Sequence, residues 1–212
     1  MIQTEAIVFN NFQVNTYLVW DESGECLLVD PAFYSQKEQQ SLLSLIKGKG
    51  LTLKGQLNTH CHVDHILGLD FLKSEYGFPV RAHLEELKII TNAPLMGDLF
   101  GWKVKPIEGI DEFLEEGINI PVGKHLLKVL HVPGHSPGSV ALYSKEGGFV
   151  ITGDALFSGS IGRTDLPGGD YDTLIASIRE KLLTLPPETL VFPGHGPSSS
   201  IGREKDENPF LK

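Results

Sequence analysis

Between Thr59 and His65 the chain reads THCHVDH, which puts three of its eight histidines and an aspartate on seven consecutive positions. Imidazole nitrogens and a carboxylate this close together are the donor set of a metal site, and a polar loop has no other evident use for them. Related donors recur downstream: His135 in PGHSPGS, Asp154 in ITGD and His195 in FPGHG. His60, His135, Asp154 and His195 each stand just past an apolar run with strand character, LKGQLNT, HLLKVLHVPG, GGFVITG and TLVFPG respectively. Strand ends on one edge of a sheet converge on a common rim. That placement gathers His60, His62, Asp64, His65, His135, Asp154 and His195 into one expected cluster.

Seven such donors exceed the needs of one tetrahedral ion. They suit two divalent metals about 3.5–4 Å apart that share a carboxylate and a water. Asp154 is the expected shared ligand, because two cations need an anion between them. Imidazole and carboxylate suit zinc, iron or manganese, with zinc placed first. No C-x-x-C pair is present, which argues against a closed structural zinc site. Water held by two such ions has its pKa lowered from 15.7 towards about 7, so hydroxide is available near neutrality. Asp64 is expected to orient the hydroxide as well as to ligate.

Other residues of catalytic type read differently. Gly134 to Gly138 spell G-x-S-x-G, but the residue after Ser136 is Pro137, which has no N–H for an oxyanion hole. Cys61 alternates away from its histidine neighbours and reads as a buried small thiol. His83, His125 and His131 stand apart from the motifs and read as satisfied structural groups. Arg163 is the basic residue expected near substrate, where its guanidinium could clamp a carboxylate, although Asp165 two positions on could instead tie it down. Lys103 and Lys105 read as surface groups.

The elements that must position this cluster follow from patterning. IQTEAIV, NTYLVW and CLLVD predict an antiparallel meander, and Ser35 to Lys47 predicts a helix before Gly48 and Gly50. LKGQLNT predicts a strand running into His60, followed by a helix from about His65 to Tyr76. Four more strands, a helix over about Asp172 to Leu183 and a last strand, TLVFPG, complete the second half. The stretch from Thr91 to Glu116 reads mostly as loop that lines the site, because Pro94, Gly97 and Gly101 interrupt helical spacing. No Pro/Gly/Ser-rich linker divides the halves, so residues 1–212 are expected to form one domain of packed sheets with helices outside.

A chain of 212 residues with 41% hydrophobic content can build a substantial core. The net charge of -9 disfavours nucleic-acid partners, and no long apolar run predicts a membrane span. Two cysteines and no leader-like N-terminus point to a cytoplasmic, reducing environment.

The ordered set LVDP, THCHVDH, PGHSPGS, ITGD and FPGHG resembles the metallo-β-lactamase superfamily over essentially the whole chain. The resemblance implies an α/β fold, a four-layer αββα sandwich with metals at one edge of the sheets. It implies that His60, His62 and His135 hold one metal, that Asp64, His65 and His195 hold the other, and that Asp154 lies between. It also implies that Asp30, in LVDP, supports the metal loop from behind. Within the superfamily the chain is similar to short glyoxalase II-like hydroxyacylglutathione hydrolases, through GSIGRTDLPGGD and GREKDENPFLK. It ends too soon after His195 to hold the helical glutathione-binding domain of the longer form. The implied activity is hydrolysis of S-D-lactoylglutathione or a similar hydroxyacyl thioester, a small-molecule substrate. The GRTD segment is shared with persulfide dioxygenases, so the alternative is a mononuclear-iron glutathione persulfide dioxygenase.

Overall fold

The computed structural model describes residues 1–212. The expected meander forms as β1 (Gln3–Phe9), β2 (Val14–Trp20) and β3 (Glu25–Val29), paired antiparallel in order. Helix α1 (Gln36–Gly48) follows, capped by a reciprocal pair in which Ser35 accepts from the Glu38 N–H and the Glu38 carboxylate accepts from the Ser35 N–H. It carries the chain across to β4 (Thr52–Leu57), which pairs parallel with β3. That crossover is what a parallel neighbour requires.

Helix α2 (Leu69–Tyr76) begins four residues later than the sequence pattern predicts. Val63–His65 instead form a tight 3₁₀ turn, and the Gly68 N–H leaves the helical ladder to donate to the Pro31 carbonyl at 2.8 Å. The tighter turn redirects donors that an α-helix would spread around its axis. A two-residue strand β5 (Arg81–Ala82), helix α3 (Leu87–Thr91), helix α4 (Ala93–Phe100) and strand β6 (Glu112–Phe113) come next. Within Thr91 to Glu116, expected mostly as loop, helix α4 and the short β6 are additions, and residues 102–111 are loop. Pro94 sits in the first turn of α4, where its missing N–H costs no helical bond, and Gly101 ends the helix in the left-handed conformation at φ 79°.

The second sheet is built from β7 (Asn119–Val122), β8 (His125–His131), β9 (Val140–Ser144) and β10 (Phe149–Gly153). A small ribbon, β11 (Leu156–Phe157) and β12 (Ser160–Ile161), leads to helix α5 (Tyr171–Ser177), which continues as a π-type turn over Ile178–Leu182. Strand β13 (Leu190–Pro193) then pairs parallel with β10, and β14 (Ser199–Ser200) and α6 (Ile201–Glu207) close the chain.

Alternation along the strands makes the layers. Tyr17, Val19, Leu27, Val29 and Leu57 of the first sheet meet Ile120, Leu127, Val129, Val140, Leu142 and Ile151 of the second in one buried cluster. Their neighbours Leu18, Cys26 and Leu28 face the other way, under Leu42 and Ile46 of α1 and Leu72 of α2. Leu130, Ala141, Val150 and Val191 lie under Leu174, Ile178 and Leu182. Strands covered on both faces read as near-continuous apolar runs. The architecture is thus the expected αββα sandwich. No helix is long and apolar enough to cross a membrane.

Candidate metal centre

The seven expected donors come together at the edge where β4, β10 and β13 end. Two bonds between the sheets fix that edge: the Val140 N–H donates to the Thr59 carbonyl at 2.8 Å, and the Asn15 N–H to the Gly194 carbonyl at 2.7 Å. His60, His62 and His135 form one group, with His62 Nδ1 and His135 Nε2 2.9 Å apart. Asp64, His65 and His195 form the other, with the two Nε2 atoms 3.3 Å apart. Nitrogen ligands 2.0–2.1 Å from a tetrahedral ion lie about 3.3 Å from each other, so both spacings fit shared coordination.

Asp154 stands between the groups. Its Oδ2 lies 3.7 Å from His135 Nε2 and 3.4 Å from His195 Nε2, and its Oδ1 lies 3.5 Å from His65 Nε2. His60 Nε2 and Asp154 Oδ1 are buried without any hydrogen-bond partner. Orphaned buried polar atoms are costly, and a cation would satisfy both. Gly194 makes the approach possible, since a Cβ there would stand 2.1 Å from Asp154 Oδ1 and 2.9 Å from His65 Cε1.

Contacts on the far side of each ring fix its tautomer. His135 Nδ1 donates to the Arg163 carbonyl at 2.8 Å and His195 Nδ1 to the Phe12 carbonyl at 2.9 Å, leaving Nε2 for the site. Asp30 lies where a supporting aspartate is expected. Its carboxylate accepts from the Thr59 N–H at 2.7 Å and the Thr59 hydroxyl at 2.6 Å, and lies 3.1 Å from His65 Nδ1. The Thr59 oxygen in turn lies 3.1 Å from His60 Nδ1.

The two groups differ electrostatically. Burial, reinforced by the neighbouring rings, pushes His60 well below the usual imidazole range and His62 down to about 4; His135 is lowered mainly by burial. These three imidazoles are neutral and offer lone pairs. Burial opposes the charge on Asp154 and Asp64, yet His65 and His195 outweigh it and hold both carboxyls low. The same attraction overcomes burial at His65, which is raised well above its usual value, and lifts His195 to about 9.

Not every expected residue joins the cluster. Arg163 borders the cavity and its carbonyl meets His135, but its guanidinium Nε and Nη2 both donate to Asp165 at 2.7 Å. Lys103 and Lys105 are surface groups paired with Asp98 and Asp70. Cys61 is buried in an apolar cluster, and the Ser136 hydroxyl is buried and donates to Glu86 at 2.6 Å. His125 is paired with Glu146 and Glu22. His83 and His131 do not stand alone: their rings stack 4.1 Å apart, away from the site, beside Glu85. His131 Nε2 there contacts the Pro137 carbonyl at 2.9 Å, and His83 Nδ1 accepts from the Glu85 N–H.

Two features escape sequence reasoning. Glu86, fully buried, accepts from the Cys61 N–H at 2.7 Å, the Ser136 hydroxyl and the Gly138 N–H at 2.8 Å. It therefore ties the first histidine loop to the loop of His135. The second feature is the pocket wall, made of Phe12, Ile89, Ala93, Met96, Phe100 and Leu166. Only the general expectation that residues 91–116 line the site anticipates it.

A sandwich of this layering with a histidine–aspartate cluster at one sheet edge defines a metallo-hydrolase scaffold that binds divalent metals. The profile of the metallo-β-lactamase superfamily matches residues 10–195, and the chain belongs to that superfamily. It is 44% identical to the probable metallo-hydrolase YqgX of Bacillus subtilis, over 94% of this chain and 92% of that one. It is 37% identical to the hydroxyacylglutathione hydrolase GloC of Haemophilus influenzae, over 98% of this chain and 97% of that one. Among solved structures, TTHA1623 in a di-iron-bound form matches at a TM-score of 0.87 and 40% identity, covering 98% of this chain and all of that chain (100%).

Proposed function

We propose that the protein, acting as one domain, is a metal-dependent thioester hydrolase of glyoxalase II type, cleaving S-D-lactoylglutathione or a similar hydroxyacyl thioester. The observation that carries this reading is a pair of ligand groups joined by Asp154 and opening on a cavity of about 390 Å³. The similarity to a hydroxyacylglutathione hydrolase across nearly the whole of both chains supports it. His60, His62 and His135 hold one metal, Asp64, His65 and His195 the other, and Asp154 serves both. Zinc is the first expectation for each, with iron or manganese as alternatives. Bound there, the ions supply Lewis acidity and lower the pKa of water.

The chain's own groups do the rest. Asp64 lines the cavity, and its carboxylate accepts a hydrogen bond from the attacking water and holds its lone pair towards the carbonyl carbon. The apolar wall covers one side of that encounter and lowers the local polarity there. The water oxygen bonds to the carbonyl carbon and its protons pass to solvent, the carbon–sulfur bond breaks, and a carboxylate and a thiolate result, the thiolate then taking up a proton. Because a thiol has a pKa of about 8.5, the sulfur leaves as thiolate. No buried side chain is needed as a proton donor to it. Asp30, Thr59 and Glu86 position the ligand loops without touching substrate.

The test is hydrolysis of S-D-lactoylglutathione by metal-reconstituted protein, followed as loss of thioester absorbance with a chelator control. Turnover abolished by the chelator is expected. Absence of turnover with metals bound, together with oxygen uptake on glutathione persulfide, would replace this reading with the dioxygenase.

A further inference from the structure

The cavity has two unlike sides. One presents His62, Asp64, His135, Asp154 and His195, and the other is the apolar wall. Met96 and Phe100 lie four residues apart on α4 and so share a helix face. Phe12 packs edge-on against Phe100 and Trp102, with ring centroids 5.0 Å away in each case. This is a braced surface made of rings and aliphatic groups, offering no donor to a charged ligand.

Charge on the rim points the same way. Arg163 is the only lysine or arginine among the lining residues, and the Nε–Nη2 edge of its guanidinium is taken by the Asp165 carboxylate. A bidentate pair of this kind satisfies the guanidinium geometry that a substrate carboxylate would need. The flanking lysines are turned to other partners, Asp98 and Asp70, outside this cavity. The chain as a whole carries a charge of -9. A glutathione-like carrier brings two carboxylates, and apart from the metal centre the lining holds no unpaired lysine or arginine to receive them. An uncharged thiol with an apolar body finds Met96, Phe100 and Leu166.

We propose that the site selects thioesters of uncharged, apolar thiols over those of anionic carriers, with Met96 and Phe100 as specificity-determining contacts and Asp165 withholding Arg163 from substrate carboxylates. This rests on the thioester-hydrolase reading above and names the substrate class within it.

The experiment compares two lactoyl thioesters that differ only in the thiol, glutathione and benzyl mercaptan, with the metal-loaded full chain. The expected kcat/KM favours the benzyl thioester by at least about tenfold, the scale on which apolar pocket contacts discriminate. Asp165→Asn releases the guanidinium and lowers KM for lactoylglutathione about threefold, the scale of one exposed ion pair. Phe100→Lys, at a half-exposed position where folding is not at stake, moves the ratio about tenfold towards glutathione. Leu95→Lys, on the solvent side of α4 and outside the cavity lining, leaves the ratio unchanged. Equal or better use of lactoylglutathione by the unaltered protein overturns the proposal while leaving the hydrolase reading intact. A ratio that neither Asp165→Asn nor Phe100→Lys moves overturns it as well. Failure to cleave either thioester with metals bound overturns both.

Discussion

Replacing Glu86 tests whether a residue that touches neither metal nor substrate holds the site together. Its carboxylate receives three donors: the Cys61 N–H, the Gly138 N–H and the Ser136 hydroxyl. The Ser136 hydroxyl has a second partner in Ser139 at 2.7 Å, so Glu86→Ala strands two backbone N–H groups. Each stranded buried donor costs about 1–3 kcal/mol. The loss of the carboxylate's own burial cost offsets part of this, and the small cavity left behind adds to it, so the expected destabilisation is about 3–5 kcal/mol. For a chain of this length that is roughly a 10 °C fall in melting temperature. Glu86→Gln keeps one acceptor oxygen and strands one N–H, for about 1–3 kcal/mol. Denaturant melts of chelator-treated protein isolate this structural effect, and metal titration of the folded variants should show weakened binding as the two loops separate. Burial raises the Glu86 carboxyl above its usual value, although its three donors pull it down. As pH rises past about 4.3 the unfolded chain loses this proton first. Native stability from this group is therefore present below that pH and lost as pH rises through the folded value. The advantage of the wild type over Glu86→Gln should narrow across that window. A loss below about 1 kcal/mol for Glu86→Ala would refute the accounting, because it would mean the two N–H groups find other partners.

Asp154→Ala removes the ligand common to both groups; activity should fall by more than about a hundredfold, and metal content measured by atomic absorption should drop. Gly194→Ala puts a Cβ against Asp154 Oδ1 and His65, so metal affinity should fall while the circular dichroism of the fold persists; unchanged metal binding would show that the carboxylate has room to move. Neither cysteine should react with a thiol reagent until the chain unfolds, because both are fully buried and burial pushes Cys26 up to about 12 and Cys61 well above its usual value. Labelling of the native protein at the rate of a free thiol would contradict that placement.

The candidate donors were legible because His60, His135, Asp154 and His195 each follow an apolar strand, and strand ends are where a layered α/β sandwich leaves space for polar groups. Asp30 was expected only through the family resemblance of LVDP, and its hydrogen bonds to Thr59 and its approach to His65 depend on a left-handed backbone at φ 51° that no local pattern announces. Helix α4 was hidden by its punctuation. Pro94 and Gly101 are breakers by type but mark a first turn and a stop by position, and Gly97 lies inside because the Trp102 carbonyl and Val104 pack where a side chain would be. Glu86 had no signal at all. Beside the exposed Glu85 it forms an ordinary acidic pair, and only the fold decides which one is enclosed.

Neither ligand group belongs to one sheet. His60 and His62 from the first half meet His135 from the second, and Asp64 and His65 from the first meet His195 from the second. Asp154 on the second sheet faces both groups, and the bonds from Val140 to Thr59 and from Asn15 to Gly194 set the distance across the gap. Docking of the sheets and assembly of the donors are therefore the same event. The orphaned atoms of His60 and Asp154 oppose that docking when no cation is present, while the Asp64 and Asp154 carboxylates favour the charged forms of His65 and His195. The buried layer of Val, Leu and Ile shared by the two sheets and the backbone bonds across the gap offset this cost. A metal bound to these groups in the native state would add stability by mass action, and the residues holding it would also clamp the two halves of the sandwich.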